Sequence, residues 1–184
     1  MARTPSTMVA LGITAPDFSL PDAVSGKNFT LENVKGRLAT VIMFICNHCP
    51  FVKHVNTELV KLANDYKNRG IGFVAISAND AINYPDDSPE LMAKAARQLK
   101  YPFPYLYDES QEVAKAYDAA CTPDFFIYDK ALRLVYRGQL DDSRPGNEIA
   151  LTGKDIRNAL DCIINDQPVP EQQRPSIGCN IKWK

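Results

Sequence analysis

The chain has no surplus of charge. Its 21 Lys and Arg residues stand against 22 Asp and Glu, a formal net charge of −1, which leaves no basic footprint for a phosphate backbone and argues against a nucleic-acid partner. It has no long apolar run either. No stretch approaches the ~20 apolar residues that span a bilayer, and Met1 to Leu20 carry Pro5, Asp17 and scattered polar side chains where a secretory signal would have an apolar core. The expectation is a cytoplasmic protein without a membrane partner. Internal repeats and low-complexity tracts are also absent, which sets aside repeat arrays and flexible linkers. With 184 residues, 45% of them apolar, the chain supports one buried core and is short of two. A single domain is expected over residues 1–184, with an irregular tail packed on it over residues 166–184.

Cysteine is present but does not form a scaffold pattern. Five cysteines, an odd number, are spread from Cys46 to Cys179. In a reducing compartment this argues against a disulfide-stapled fold and for redox chemistry or metal binding. Two of them stand together. The run Ala39 to Ile45 is apolar throughout and closes on Cys46-Asn47-His48-Cys49, followed directly by Pro50. Two thiols are thereby placed where a buried strand meets a helix start, and the free N–H groups and positive dipole end of a helix N-terminus stabilise a thiolate. Pro50 suits the first helical turn, where its missing N–H costs nothing.

The surrounding pattern is α/β. Pro16–Leu20 and Lys27–Leu31 flank a turn-prone segment and suggest an N-terminal hairpin. From Pro50, the residues Val52, Val55, Leu59, Leu62 and Tyr66 recur at helical spacing until Gly70 stops them. A strand over Ile71–Ser77 leads into a polar loop containing Asn79, Asp80, Asp86 and Asp87. Ser88 and Pro89 then open a helix with Leu91, Met92, Ala95, Ala96 and Leu99 on one face. A short strand near Pro104–Tyr107 and a helix near Gln111–Asp118 follow. Asp124–Tyr128 and Leu132–Tyr136 form a hairpin pattern, and Thr152 caps a last helix carrying Ile156, Leu160, Ile163 and Ile164. The β-α-β crossovers imply parallel strands with helices on both faces.

These landmarks carry a family resemblance. Cys46-x-x-Cys49 at a strand end, and Cys121-Thr122-Pro123 before a hairpin, resemble the two fixed points of the thioredoxin fold. The added N-terminal hairpin and the insertion between the halves resemble its redoxin branch. The stretches Phe44–Val52, Leu140–Asn147 and Ser176–Trp183 are similar to an AhpC/TSA-related, peroxiredoxin-like subgroup with a Cys-Asn-His-Cys-Pro motif. The resemblance implies a thioredoxin-like fold, a central mixed β-sheet flanked by helices with the extra N-terminal hairpin. It implies a thiol-disulfide oxidoreductase with antioxidant character, with Cys46 as the exposed nucleophile and Cys49 as the resolving thiol. It also implies a cis Thr122–Pro123 bond that presents the Thr122 backbone to an extended substrate. Neither an organic cofactor nor a metal is expected. The implied partners are protein disulfides or low-molecular-weight thiols, with a thioredoxin- or glutaredoxin-type electron donor. A cationic His48 beside the Cys46 thiolate would favour the reduced form and an oxidising poise.

Departures from the family pattern keep rivals open. Ile45 stands where thioredoxins carry tryptophan, and the strand Ala39–Ile45 holds no carboxylate to act as a buried proton acceptor. His48, Asp141 and Asp142 are the candidate bases. Cys49-Pro50 resembles a peroxidatic Cys-Pro, yet Ile42 and Cys46 occupy the places of the Pro and the Thr or Ser that a peroxidase requires, and the arginine slot falls near Pro123. Cys46, His48, Cys49 and His54 are each zinc-ligand types, but no second Cys-x-x-Cys or His-x-x-x-His completes a tetrahedral set. Cys162 reads as a buried, inert thiol, and Cys121 as a strand-edge packing residue or a neighbour of the pair. Lys53 reads as a solvated side chain that adds positive potential at the helix start. Cys179, between Gly178 and Asn180, becomes a third redox thiol if the tail folds back.

Overall fold

A computed structural model describes residues 3–184. Its strands are β1 (Arg3–Pro5), β2 (Ser19–Pro21), β3 (Asn28–Thr30), β4 (Ala39–Phe44), β5 (Ile71–Ser77), β6 (Tyr105–Tyr107), β7 (Cys121–Thr122), β8 (Asp124–Asp129), β9 (Leu134–Gly138) and β10 (Ile177–Asn180). Its helices are α1 (Leu31–Val34), α2 (Pro50–Tyr66), α3 (Pro89–Leu99), α4 (Glu112–Ala116) and α5 (Lys154–Ile164).

The central sheet runs β6-β5-β4-β8-β9, with β4, β5 and β6 parallel and β8 and β9 antiparallel. β4 is buried along its whole length, and the period-two alternation of a strand divides its side chains between two cores. Val41 and Met43 face α2, α3 and α5, where they meet Leu59, Leu62, Met92 and Leu160. Ile42 and Phe44 face the other layer, with Phe18, Leu31, Ala114 and Tyr117. Gly70 ends the α2 segment in the left-handed conformation, φ 84°, and β5 starts one residue later. The N-terminal hairpin is the antiparallel pair β2–β3. No helix among the described residues is long and apolar enough to cross a membrane.

β9 is tied to the rest through a buried cation. Arg137 Nη2 lies 3.1 Å from Asp124 on β8 and also donates to the Asp118 carbonyl, Nη1 donates to the Tyr117 carbonyl, and the guanidinium is 3.8 Å from the Phe126 ring centroid. Both charged side chains are fully buried. Burial pushes the Asp124 carboxyl up to about 6, against the pull of Arg137.

Four local expectations are corrected. The tail is not irregular throughout, because Ile177–Asn180 forms β10 between β1 and β7; pairing with distant strands decides this, not local β propensity. Thr152 is not the cap of α5: Gly153 takes the N-cap position at φ 66°, and the Asp141 carboxylate accepts from the N–H groups of Thr152 and Gly153. On α3, Leu91 is exposed and Ala93 is buried in its place. The helix expected over Gln111–Asp118 shortens to Glu112–Ala116, since Gln111 is left-handed, φ 65°, and its side-chain amide donates to the carbonyls of Ala78 and Lys182.

Candidate functional site

The cysteine pair sits where β4 hands over to α2. The Ile45 N–H still bonds to Ile76 O of β5 at 3.0 Å, after which the chain turns through Cys46–Cys49. Cys49 holds the N-cap position of α2 and Pro50 the first turn. The Val52 N–H faces the Cys49 sulfur without closing a full cap hydrogen bond. The Thr122–Pro123 bond is cis, and Thr122 lies across from both thiols: its carbonyl is 3.2 Å from Cys49 Sγ and its hydroxyl 3.3 Å from Cys46 Sγ. A third sulfur joins them from the tail, with Cys179 Sγ 3.0 Å from Cys49 Sγ.

Neither thiol of the pair is exposed. Cys46 is 2% and Cys49 0% accessible, which departs from the exposed attacking Cys46 that the resemblance implies. The electrostatics also favour a thiolate at the other sulfur. Cys49 is drawn down to about 4, first by the hydrogen bond from Cys46, with Cys179 and the N–H groups of Val52 and Cys179 adding to it against burial. Cys46 is pushed up because its thiol donates to Cys49, with burial and the Asp87 charge in the same direction. Cys179 is pushed up to about 12 by burial and by its bond to Cys49. The Thr122 carbonyl opposes a thiolate at Cys49, since it can only accept from a thiol. The donors directed at Cys49 outnumber it, and the balance lowers Cys49 and raises Cys46.

His48 does not act alone. Its Nδ1 is 2.5 Å from Asp87 Oδ2, and its ring stacks on Tyr84 with centroids 5.7 Å apart. Asp87 is fully buried and also accepts from the backbone N–H groups of Asn47 and His48 and from the Asn79 amide, at 2.8, 3.2 and 2.7 Å. The hydrogen bond to Asp87 raises His48. Burial acts to raise Asp87, but the bonds from His48 and Asn79 prevail and hold it below the ordinary value. Asp87 is thus a buried carboxylate beside the pair, where the strand Ala39–Ile45 holds none. One sequence-level signal bears on it: ligand-facing loops of open α/β sheets gather beyond the carboxyl ends of the parallel strands, and the loop after β5 leaves at the same end as Cys46.

The other candidates lie elsewhere. Asp141 is spent on the N–H groups of Ser143, Thr152 and Gly153, and Asp142 pairs with Lys154 and Arg174. Neither is a base for the thiols. His54 Nε2 is held by Ser143 Oγ at 2.7 Å, so the zinc set Cys46, His48, Cys49 and His54 is not brought together. Among the described residues, the metal-competent group is Cys46, His48 and Asp87, with ligand atoms within 4.8 Å of one another. Cys121 Sγ is 3.6 Å from Pro123 O and is pushed up by burial, while Cys162 is half-buried on α5. The Thr122 edge that the resemblance reserves for a substrate strand is already paired: Cys179 of β10 lies opposite Thr122.

The protein is 64% identical to an uncharacterised conserved protein from Geobacillus kaustophilus whose crystal structure superposes with a TM-score of 0.99, covering 100% of this chain and 97% of the other. The thiol-disulfide oxidoreductase ResA of Geobacillus kaustophilus (strain HTA426) is 28% identical over 128 residues, 69% of this chain and 68% of that protein. The fold is thioredoxin-like: the thioredoxin domain of a thiol-disulfide oxidoreductase from Bacteroides vulgatus superposes with a TM-score of 0.60 at 21% identity, over 74% of this chain and 91% of that one. Residues 11–137, which carry Cys46, Cys49, Thr122 and Pro123, match the AhpC/TSA family. The chain belongs to the AhpC/TSA family of thioredoxin-like redoxins, and its general activity is that of an oxidoreductase.

Proposed function

We propose that the protein is a thiol-disulfide oxidoreductase whose Cys46/Cys49 couple cycles between dithiol and disulfide, acting on protein disulfides or low-molecular-weight thiols. The observation that carries this reading is the convergence of both thiols at the N-terminus of α2 on the cis Thr122–Pro123 step, with the Thr122 hydroxyl 3.3 Å from Cys46 Sγ and its carbonyl 3.2 Å from Cys49 Sγ. Cys49 attacks one sulfur of a substrate disulfide and expels the other as a thiolate. Cys46 then attacks Cys49 Sγ, closes the Cys46–Cys49 bond and releases the second substrate thiol, its own proton passing to a leaving sulfur. Two electrons leave the protein and, with one further proton from solvent, two thiols are formed, so no organic cofactor is required. A thioredoxin- or glutaredoxin-type donor, in a cytoplasmic setting, returns the dithiol.

This assigns the first attack to Cys49 and resolution to Cys46, the reverse of the roles implied by the resemblance. Thiolate fraction governs attack, and the lowered thiol is Cys49. An oxidising poise belongs to the same reading. His48 is raised by its bond to Asp87, which favours the imidazolium beside the pair, and stabilising the reduced form makes the disulfide a stronger oxidant.

A peroxidase reading gains support from the lowering of Cys49, with Cys46 three residues earlier as its first cause. It lacks the guanidinium that polarises a peroxide. Arg137 is committed to Asp124, and Arg144 to Gln139 and the carbonyls of Asp141 and Ser143. Turnover of a small disulfide and of hydrogen peroxide, measured side by side with a dithiol reductant, separates the two. Disulfide turnover that is lost in Cys49→Ser, with peroxide consumption near background, is the expected outcome. Rapid peroxide turnover without disulfide reduction would replace this reading with the peroxidase.

A further inference from the structure

The dithiol couple leaves one contact of its central sulfur unused. Cys49 shares the start of α2 with Cys46, and its Sγ lies 3.0 Å from Cys179 of β10. This contact is built from a remote part of the chain. β10 runs antiparallel to β7, with Cys179 opposite Thr122 and Asn180 opposite Cys121. Gly178 makes the approach possible: a Cβ there would lie 2.0 Å from the Thr122 carbonyl oxygen. Cys179 is 1% accessible, and its N–H also faces the Cys49 sulfur. Cys121 and Cys162 have no such contact; the first faces Pro123 O and the second lies on α5.

We propose that Cys179 is a third redox thiol, and that Cys49 is shared between two exchangeable internal disulfides, Cys46–Cys49 and Cys49–Cys179. This rests on the reading of Cys46/Cys49 as a redox couple and extends it to the tail. In the exchange, the Cys179 sulfur gives up its proton and attacks Cys49 Sγ. The Cys49–Cys179 bond forms, the Cys46–Cys49 bond breaks, and the electron pair leaves on Cys46, which takes up a proton. One disulfide and one thiol stand on each side, so the step needs neither oxidant nor reductant. Its effect is to return Cys46 to a thiol while the oxidation is held in a bond that ties β10 to the start of α2. Thiolate attack through a neighbouring disulfide sulfur is ordinary exchange chemistry, and here the attacking sulfur is already in contact with its target.

The test is disulfide mapping by mass spectrometry of the full chain, equilibrated in glutathione buffer and acid-quenched, for wild type, Cys46→Ser, Cys179→Ser and the control Cys162→Ser. The proposal expects a Cys49–Cys179 cross-link in Cys46→Ser, both cross-links in wild type and in Cys162→Ser, and Cys46–Cys49 alone in Cys179→Ser. It is overturned if wild type and Cys179→Ser form Cys46–Cys49 while Cys46→Ser gives only a glutathione adduct at Cys49 or stays reduced. A Cys49–Cys179 link in Cys46→Ser, with no Cys46–Cys49 link in wild type or in Cys179→Ser, would instead remove the reading under Proposed function and leave the third thiol standing. Should Cys46→Ser fail to fold, alkylation of the oxidised wild type decides: Cys46 is captured in a larger fraction of wild type than of Cys179→Ser, and equal protection in both contradicts the exchange.

Discussion

At Cys49, burial and hydrogen bonding pull in opposite directions, and the donors win because Cys46, Cys179 and the N–H groups of Val52 and Cys179 all face one sulfur. A folded value of about 4 means the thiolate persists across neutral pH, so the alkylation rate and thiolate ultraviolet absorbance of Cys49 should stay flat until acid approaches that value. Cys46→Ala removes the largest donor, and the titration should then move up toward the ordinary thiol range of about 8.5. Cys49→Ala should abolish the low step. The His48–Asp87 pair gives a second residue-scale prediction. Asp87 is lowered in the fold, so its contribution is present above its unfolded value and lost as pH falls through the folded one. His48 is raised, so its contribution is complete below its unfolded value and lost as pH rises through the folded one. The pair therefore counts most between about pH 4 and pH 6.5, the two unfolded values. Asp87→Asn should cost on the order of 3 kcal/mol in that window, and urea denaturation should show a smaller gap from wild type at about pH 9, above the window.

Among the elements, β10 decides what reaches the thiols, since it fills the Thr122 edge and sets Cys179 against Cys49. Gly178→Val forces a side chain onto the Thr122 carbonyl. Overpacking of this kind costs about 1–3 kcal/mol. Differential alkylation should show Cys49 and Cys179 becoming more reactive as β10 is pushed off, with Cys162 unchanged. The same strand marks where local reading stops. Ile71–Ser77 was legible to the residue because Gly70 and the polar loop punctuate it at both ends, and α2 because Pro50 and a regular apolar face announce it. Ser176–Ile181 offers no such punctuation, and its pairing with Arg3–Pro5 and Cys121–Thr122 is wholly non-local. Within the site, Cys46 and Cys49 stood out by spacing, and the Thr122–Pro123 step through the family resemblance. Asp87 did not, because its role depends on a loop fold that brings it under His48, and its neighbours Asp80 and Asp86 look no different in sequence.

Across the whole molecule, the sheet carries its thiols at one end while a buried cation holds the antiparallel half together. Arg137 links β9 to Asp124 on β8 and to the carbonyls of Tyr117 and Asp118 beyond α4. Arg137→Met strands a buried carboxylate and should destabilise the fold by about 3–5 kcal/mol. In chemical denaturation that loss should shrink as pH falls, because an unpaired Asp124 takes up a proton. The C-terminal strand β10 lies between β1 and β7, which brings Cys179 from the far end of the chain to Cys49. The central claim, a Cys46/Cys49 couple, is tested most directly by equilibrating the intact protein across a series of glutathione redox buffers, trapping thiols with acid and alkylating agent, and identifying cross-linked peptides. The account predicts a two-electron transition in which a Cys46–Cys49 disulfide appears. Free thiols, or glutathione adducts alone, at every potential in the series would contradict it.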